Sequence, residues 1–580
     1  MSTGKYKISD FISRFSNHFL RLIFFRFLSS PMQKDRPDIG EYLIRKIAGQ
    51  GARHVFGIPG DYILNFYSRL EKSPLQVINT CDEQGAGFAA DAYARLHGLG
   101  VVCVTWNAGG LKVLNPVAGA YAEESPLLVI AGAPGWQERQ KYPLLHHKAK
   151  EYDDQARMFE HVTVASAVIR EPSEAYRDID RVLSAIVSHK RPGYIELPRD
   201  MVNVVPDIET PHPTQEIPGH ENRLPDGVAG KVVDAINASE RPVILAGVEI
   251  ARYNLERALQ SIADKANIPV VSTFLGKSAV DEKSPNFLGV YAGIVGDDAI
   301  RRYVESSDCI ILLGVLMTDV NMGANTAVLD PDKMIVLAGD HCSIGQKSYP
   351  VPGLQLLPEI SGKEFIVHDR SAAPAPVRER TPAFSPSDAK LTTAGLFLAL
   401  NSFVDEKTVL IADVGDAALI SLDITIPAPG GFLCPVYYSS LGFSVPACLG
   451  VQAARPDLRP LVLCGDGAFQ MTGMEISTAG RYRMNPVVIV LNNSGFGTER
   501  PMIDGVFNDV SAWRYHRIPE IIGCGKGFLI KTEKDLAEAL KEAQASQELS
   551  LLEVILDPYD ISPQLRRLCE RFAKGARHQE

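Results

Sequence analysis

The chain has 580 residues, 22% charged and 46% hydrophobic, with 59 basic against 69 acidic side chains and a formal net charge of −10. That length predicts about three or four domains, each able to bury its own core, and the mildly acidic balance argues against a nucleic-acid partner. Nine cysteines, Cys81, Cys103, Cys309, Cys342, Cys434, Cys448, Cys464, Cys524 and Cys569, carry no C-x-x-C spacing and read as reduced thiols of a cytoplasmic protein.

Residues 1–37 differ from the rest. Lys5, Lys7, Arg14, Arg21 and Arg26 are interleaved with leucines and aromatics, and Arg21 and Arg26 interrupt the apolar run Phe19–Leu28. A membrane span needs about 20 nearly uninterrupted apolar residues, so stable insertion is not expected. The segment reads as an Arg-rich transit or membrane-surface helix, or as an upstream start-site extension with translation opening at Met32; the second is the expectation here.

A first α/β block follows over 38–205. A helix at 40–50 leads to a strand at His54–Phe56, then strands at Val77–Asn79, Val101–Thr105 and Leu127–Ala131 alternate with helical stretches, and the block closes on Gly193–Pro198. Asp61 stands on a Pro-Gly turn between strand and helix, where on its own it reads as a helix N-cap. Glu83 occupies a second strand end, ahead of a helix of small residues suited to close packing. His146 and His147 lie in a loop-like stretch before a helix at Gln155–Phe159. As neighbours on different faces they suit a proton relay better than a metal chelate.

A proline-rich connector, Pro206–Pro225, leads to a second block, 225–365, with buried strands at Pro242–Gly247 and Cys309–Gly314. No G-x-G-x-x-G follows the first of them, so no nicotinamide or flavin site is expected and the block reads as structural. Segment 366–390, with Pro374, Pro376, Pro382 and Pro386, reads as a solvated linker. The third block spans 391–560 and leaves 561–580 as a C-terminal tail. The fold class expected is α/β, three consecutive doubly wound parallel-sheet domains.

The most informative stretch is Cys464–Arg500. Gly465-Asp466-Gly467 follows the apolar run Pro460–Leu463, so it sits where a buried parallel strand ends and a ligand crevice opens. The two glycines admit a phosphate close to the backbone, and Asp466 offers a hard oxygen to a divalent cation. A second strand, Val487–Leu491, ends in Asn492-Asn493, whose amide oxygen suits the same ion. An amphipathic helix is expected between them over about 474–482.

This GDG…NN arrangement resembles the diphosphate-binding signature of thiamine diphosphate enzymes. Taken with Gly57-Ile58-Pro59-Gly60-Asp61, Glu83, LNPVAGAYAEESPLLVIAGAPG, His146-His147 and Glu499 in that order, the chain from about Asp38 to Pro558 resembles the 2-oxo acid decarboxylases, the pyruvate and indolepyruvate decarboxylase group. The resemblance implies thiamine diphosphate and Mg²⁺, with Asp466, the Asn493 side chain and the Gly495 carbonyl as metal ligands. It implies further cofactor contacts from Gly415, Asp416, Ser439, Ser440, Gly465, Gly467, Ala468 and Phe496. Leu441 would prop the cofactor in its bent form, the Ser439 carbonyl would accept from its amino group, and Glu83 would bond its aminopyrimidine ring to favour the C2 ylide. Asp61, His146, His147 and Glu499 would handle protons. In this family the first block of one chain faces the third block of another, so a homodimer or homotetramer is expected.

Substrate size is read from three positions placed by the resemblance, Val320, Thr498 and Met502. Val320 and Thr498 are smaller than the aromatic and branched residues of pyruvate-preferring relatives, which implies a bulky 2-oxo acid such as indolepyruvate, phenylpyruvate or a branched-chain acid. Pyruvate decarboxylation proper, a carboligase of the acetolactate synthase kind, and a non-catalytic thiamine-fold protein remain as alternatives.

Overall fold

A computed structural model describes residues 36–208 and 227–577; the Arg-rich opening segment and most of the proline-rich connector lie outside them. Three sheets follow one another along the chain. The first contains β1 (His54–Gly57), β2 (Gln76–Asn79), β3 (Gly100–Val104), β4 (Leu127–Ala133), β5 (Ala165–Val168) and β6 (Gly193–Pro198), in the order β2-β1-β3-β4-β6-β5, all parallel. β3 and β4 are buried along their whole length, as expected for apolar strands covered by helices on both faces.

The middle sheet joins β7 (Pro242–Ala246), β8 (Val270–Ser272), β9 (Phe287–Val290), β10 (Cys309–Leu313), β11 (Met334–Leu337), β12 (Cys342–Ile344) and β13 (Lys347–Tyr349), in the order β13-β12-β11-β10-β7-β8-β9. It departs from an all-parallel reading at one edge, where β12 and β13 form an antiparallel hairpin. Gly345, at φ 54°, supplies the left-handed residue of that two-residue turn.

The third sheet, from β14 (Thr408–Ala412), β15 (Phe432–Leu433), β16 (Arg459–Gly465), β17 (Val487–Asn492), β18 (Lys526–Ile530) and β19 (Ser550–Ile555), runs β15-β14-β16-β17-β19-β18, all parallel. It repeats the strand order of the first sheet. In both, the order reverses between the first and third strands, which opens a crevice beyond their carboxyl ends.

Two helices join the first and third domains. The helix Glu83–His97 is capped by Asp82, which accepts from Gln84 N at 2.8 Å, and ends at Gly98 with φ 95°. Its residues Gly85–Ala94 are all buried, and it lies against Ser444–Ala454. The approach is so close that a Cβ on Gly450 would stand 1.9 Å from the Ala89 carbonyl oxygen.

Three stretches differ from their sequence reading. The helix expected over 474–482 is present as the shorter Ile476–Arg481, preceded by a 3₁₀ turn Gly473–Glu475 and by a further helix, Asp466–Thr472, that the sequence reading did not mark. The Phe469 ring packs onto Gly473, and the Thr472 hydroxyl bonds the Gly442 carbonyl at 2.6 Å. Segment 366–390 is pinned to the middle domain: Val377–Arg380 forms one helical turn, Arg380 pairs with Asp297 at 2.9 Å and Arg378 bonds the Phe287 carbonyl at 3.1 Å. The C-terminal stretch carries a helix, Pro563–Arg577, with Leu565 fully buried and Arg567 bonded to the Val295 carbonyl at 2.6 Å.

Candidate active site

Three strand ends of the third sheet converge on one cleft. β14 leads to Gly415 at φ 94°, β16 ends at Gly465, and β17 leads through Asn493 to Gly495 at φ 155°. A Cβ on Gly415 would stand 2.6 Å from Thr498 Oγ1, so that corner tolerates only glycine. The cleft is lined by Gly415, Asp416 and Leu441 on one side and by Gly465, Asp466, Gly467 and Ala468 on another. Asn493, Gly495, Phe496, Thr498 and Glu499 complete it.

Asp466 is 1% exposed. Its carboxylate accepts from backbone amides, Gly467 N at 2.7 Å and Gly495 N at 3.1 Å, and burial pushes its carboxyl up to about 6. A desolvated carboxylate satisfied only by amides is a place where a cation gains most. Of the two asparagines, Asn492 donates its amide to Glu553 at 2.7 Å, while Asn493 faces the cleft, with Nδ2 2.3 Å from where a Gly497 Cβ would be. The donor set of one carboxylate, one amide oxygen and a carbonyl therefore fits a hard divalent ion, and the glycine corners fit a diphosphate.

The loop 437–442 carrying Ser439, Ser440 and Leu441 is held by two buried acids that the sequence did not single out. Asp413, fully buried, accepts from Gly442 N at 3.1 Å, Ser444 N at 2.9 Å and the Ser444 hydroxyl at 2.8 Å. Glu123, also fully buried, accepts from Tyr437 N at 2.7 Å and Tyr438 N at 3.0 Å. Ser439 takes φ 58°, and Ser440 Oγ accepts from Asn115 at 2.8 Å. Asp416 lines the cleft, but its carboxylate is engaged by the Ser562 amide, at 2.9 Å, and hydroxyl, ahead of the C-terminal helix.

On the first domain, Asp61 does not cap a helix, since the next helix begins at Leu64 behind Ile63. It lies 2.9 Å from His146, whose Nε2–H donates to Asp61 Oδ2. The Nδ1 atom of the same ring meets the Tyr62 hydroxyl at 3.2 Å, and the two rings stack at 4.7 Å. Burial pushes the Tyr62 phenol up to about 12, so it stays a neutral donor. His147, at φ 68°, brings its ring to 4.8 Å from that of His146. Ligand atoms of Asp61, His146 and His147 fall within 4.8 Å of one another.

Glu83 opens its helix and accepts from Lys112 at 2.8 Å. The turn before it is fixed by Glu475 of the third domain, whose carboxylate accepts from Cys81 N and Asp82 N, each at 3.0 Å. Asp61, Glu83, His146 and His147 do not line the Asp466 cleft of the same chain. Of the three residues expected around the substrate, Thr498 lines that cleft; Val320 packs on the apolar cluster shared by the middle and third domains, and Met502 lies outside at 39% exposure.

Sequence comparison adds the family. Residues 37–158, 229–357 and 413–554 match the N-terminal TPP binding, central and C-terminal TPP binding domains of the thiamine pyrophosphate enzymes. The chain is 34% identical over 546 residues to the indole-3-pyruvate decarboxylase of Azospirillum brasilense, covering 92% of this chain and 98% of that protein. It belongs to the thiamine diphosphate-dependent 2-oxo acid decarboxylases. Alpha-keto-acid decarboxylases of Mycolicibacterium paratuberculosis (31% over 543 residues, 90% and 94% covered) and Mycobacterium leprae (30% over 546, 91% and 95%) are similar along the same span. Asp413 and Glu123 are the side chains that hold the loop beside the Asp466 cleft, and Glu475 the one that holds the turn before Glu83. Sequence offered a signal for only one of these: Asp413 directly follows the apolar run of β14, as Gly465-Asp466 closes β16. Among the described residues, no helix is long and apolar enough to cross a membrane.

Proposed function

We propose that this protein decarboxylates a bulky 2-oxo acid non-oxidatively to an aldehyde and CO₂, with Mg²⁺ as its metal and as a homodimer or homotetramer in the cytoplasm. The observation that carries the reading is that Glu499 and Thr498 line the same cleft as the desolvated Asp466, which puts a proton-handling acid beside the diphosphate cradle. Bound thiamine diphosphate supplies the carbon nucleophile that attacks the 2-oxo group and the electron sink for the pair released with CO₂.

The chain's own residues do the rest. Asp466, the Asn493 amide and the Gly495 carbonyl would hold Mg²⁺ against the diphosphate, and Leu441 would brace the ring system. Glu83 would hold a proton on the aminopyrimidine nitrogen. Glu499, Asp61, His146 and His147 would protonate the carbon that lost CO₂, a proton the aldehyde keeps, and take the proton from its hydroxyl as the aldehyde leaves. Because the Glu83 and histidine group stands apart from the cleft within one chain, a second copy would complete each site. Thr498, small and at the cleft wall, favours large substrates, in line with the names of the relatives. Nine unpaired thiols, seven of them buried, support a reducing compartment.

Aldehyde release from pyruvate, 2-oxoisovalerate, phenylpyruvate and indolepyruvate, with thiamine diphosphate and Mg²⁺ supplied, tests the proposal. A kcat/KM at least roughly tenfold higher for the aromatic acids than for pyruvate is expected. Acetolactate from pyruvate, without aldehyde from any acid, would overturn it.

A further inference from the structure

The loop 142–153, which carries His146 and His147, faces solvent at its start: Leu144 is 84% exposed and Tyr142 45%. Its attachment is polar and runs inward. Asn107, 3% exposed, donates from Nδ2 to the His147 carbonyl at 2.8 Å. The Asn107 backbone amide donates to Gln155 Oε1 at 2.6 Å. Gln155 Nε2 donates to the Tyr194 hydroxyl at 2.7 Å, Tyr194 donates to Glu196 Oε2 at 2.8 Å, and Arg139 donates to Glu196 Oε1 at 2.7 Å. Gln155, Tyr194 and Glu196 are fully buried.

The chain of bonds brackets the loop. Arg139 sits on the helix Trp136–Lys141 just before it, and Gln155 on the helix Asp154–Glu160 just after it. Asn107 reaches its middle. Both Asn107 (φ 47°) and His147 (φ 68°) take left-handed backbone, which a non-glycine residue keeps only where its surroundings fix it. Gly110 leaves the room this requires, since a Cβ there would stand 2.0 Å from Gln155 Oε1. From Asn107 the donors run two ways, outward to the His147 carbonyl and inward through Gln155 and Tyr194 to the Glu196 carboxylate, so neither the Asn107 nor the Gln155 amide can become an acceptor without breaking the sequence.

We propose that Asn107 and Gln155 are positioning residues for the reaction: through this buried chain they set the backbone of His147, and with it the placement of the His146–His147 pair against Asp61. The inference rests on the reading above that the pair handles protons. Neither residue lines the diphosphate cleft.

Three variants test it in the cofactor-loaded full chain. Asn107→Asp keeps shape and turns the donor into an acceptor, Asn107→Gly keeps the left-handed backbone and removes the tether, and Gln155→Glu removes the donor to Tyr194. The expected result is a fall in kcat of about tenfold to a hundredfold with KM changed by less than about threefold. The acid limb of the kcat–pH profile should shift, thiamine diphosphate affinity should hold, and hydrogen exchange across 142–150 should rise. A kcat within about twofold of the parent, or a fall in activity that follows thermal stability with an unchanged pH profile, overturns the proposal. If the parent itself releases no aldehyde, the proposed function fails on its own. Exchange at 142–150 then still decides the tether: faster in Asn107→Gly upholds it, and unchanged rules it out.

Discussion

Asp466 and Glu83 carry the two claims that single side chains can test. Asp466 holds an almost fully buried carboxylate with amides as partners, so a bound metal would balance its charge. Asp466→Asn keeps the amide contacts of one oxygen and removes the charge; Mg²⁺ affinity, followed by titration of cofactor binding, is expected to weaken by roughly tenfold or more. Glu83 is bonded to Lys112 in the single chain, and the proposed mechanism would place it at the aminopyrimidine ring. Glu83→Gln is expected to lower kcat by about a hundredfold or more while leaving cofactor affinity within a few-fold, read by steady-state decarboxylation beside a binding titration. A Glu83→Gln enzyme as fast as the parent would remove Glu83 from the mechanism.

The helices Glu83–His97 and Ser444–Ala454 join the halves of the chain that carry the site, and their contact depends on a missing side chain. Gly450→Ala places a Cβ 1.9 Å from the Ala89 carbonyl oxygen, backbone that cannot swing aside. A loss of about 1–3 kcal/mol in denaturant unfolding is expected, with cofactor binding at the cleft weakened less than turnover, because Glu83 moves with its helix. At this scale most of the architecture was legible: strands β3, β4, β16 and β17 are continuous apolar runs, and Gly465-Asp466-Gly467 and Asn492-Asn493 mark where two of them end. The Asp466 cleft follows from those ends. What the sequence did not reveal depends on contacts between distant segments. Asp61 reads locally as a cap, and only the loop carrying His146, 85 positions away, makes it an ion-pair partner. Glu123, Glu475 and the Asn107–Gln155 chain look like ordinary polar residues until folding buries them. The helix expected over 474–482 begins later, at Ile476, behind a 3₁₀ turn whose Gly473 packs under the Phe469 ring, a contact no period in the sequence displays.

Across the whole molecule, the domains meet through buried charge, and that contact should respond to pH. Glu249 of the middle domain faces Glu124 of the first, with Asp340 and Arg191 nearby, and accepts from Gly339 N at 3.1 Å; burial first, then the Glu124 charge, pushes its carboxyl up to about 8. A carboxyl whose folded value lies above its unfolded one holds its proton in the folded state while the unfolded chain releases it. Stability from this group is therefore full below about 4.5 and declines as pH rises toward 8. Glu249→Gln is expected to stabilise the protein by about 1–3 kcal/mol at pH 8–9, with the gain vanishing near pH 5, measured by thermal unfolding across that range. The central claim concerns how copies of the chain combine, because Glu83 and the histidine pair stand apart from the Asp466 cleft of their own chain. The most direct measurement is decarboxylation by a hybrid of two inactive chains, Glu83→Gln and Glu499→Gln, co-expressed with different tags and purified through both. Shared sites predict one intact site in two and about half the parent activity; a hybrid as inactive as either variant alone would show that each chain works within itself and contradict the account.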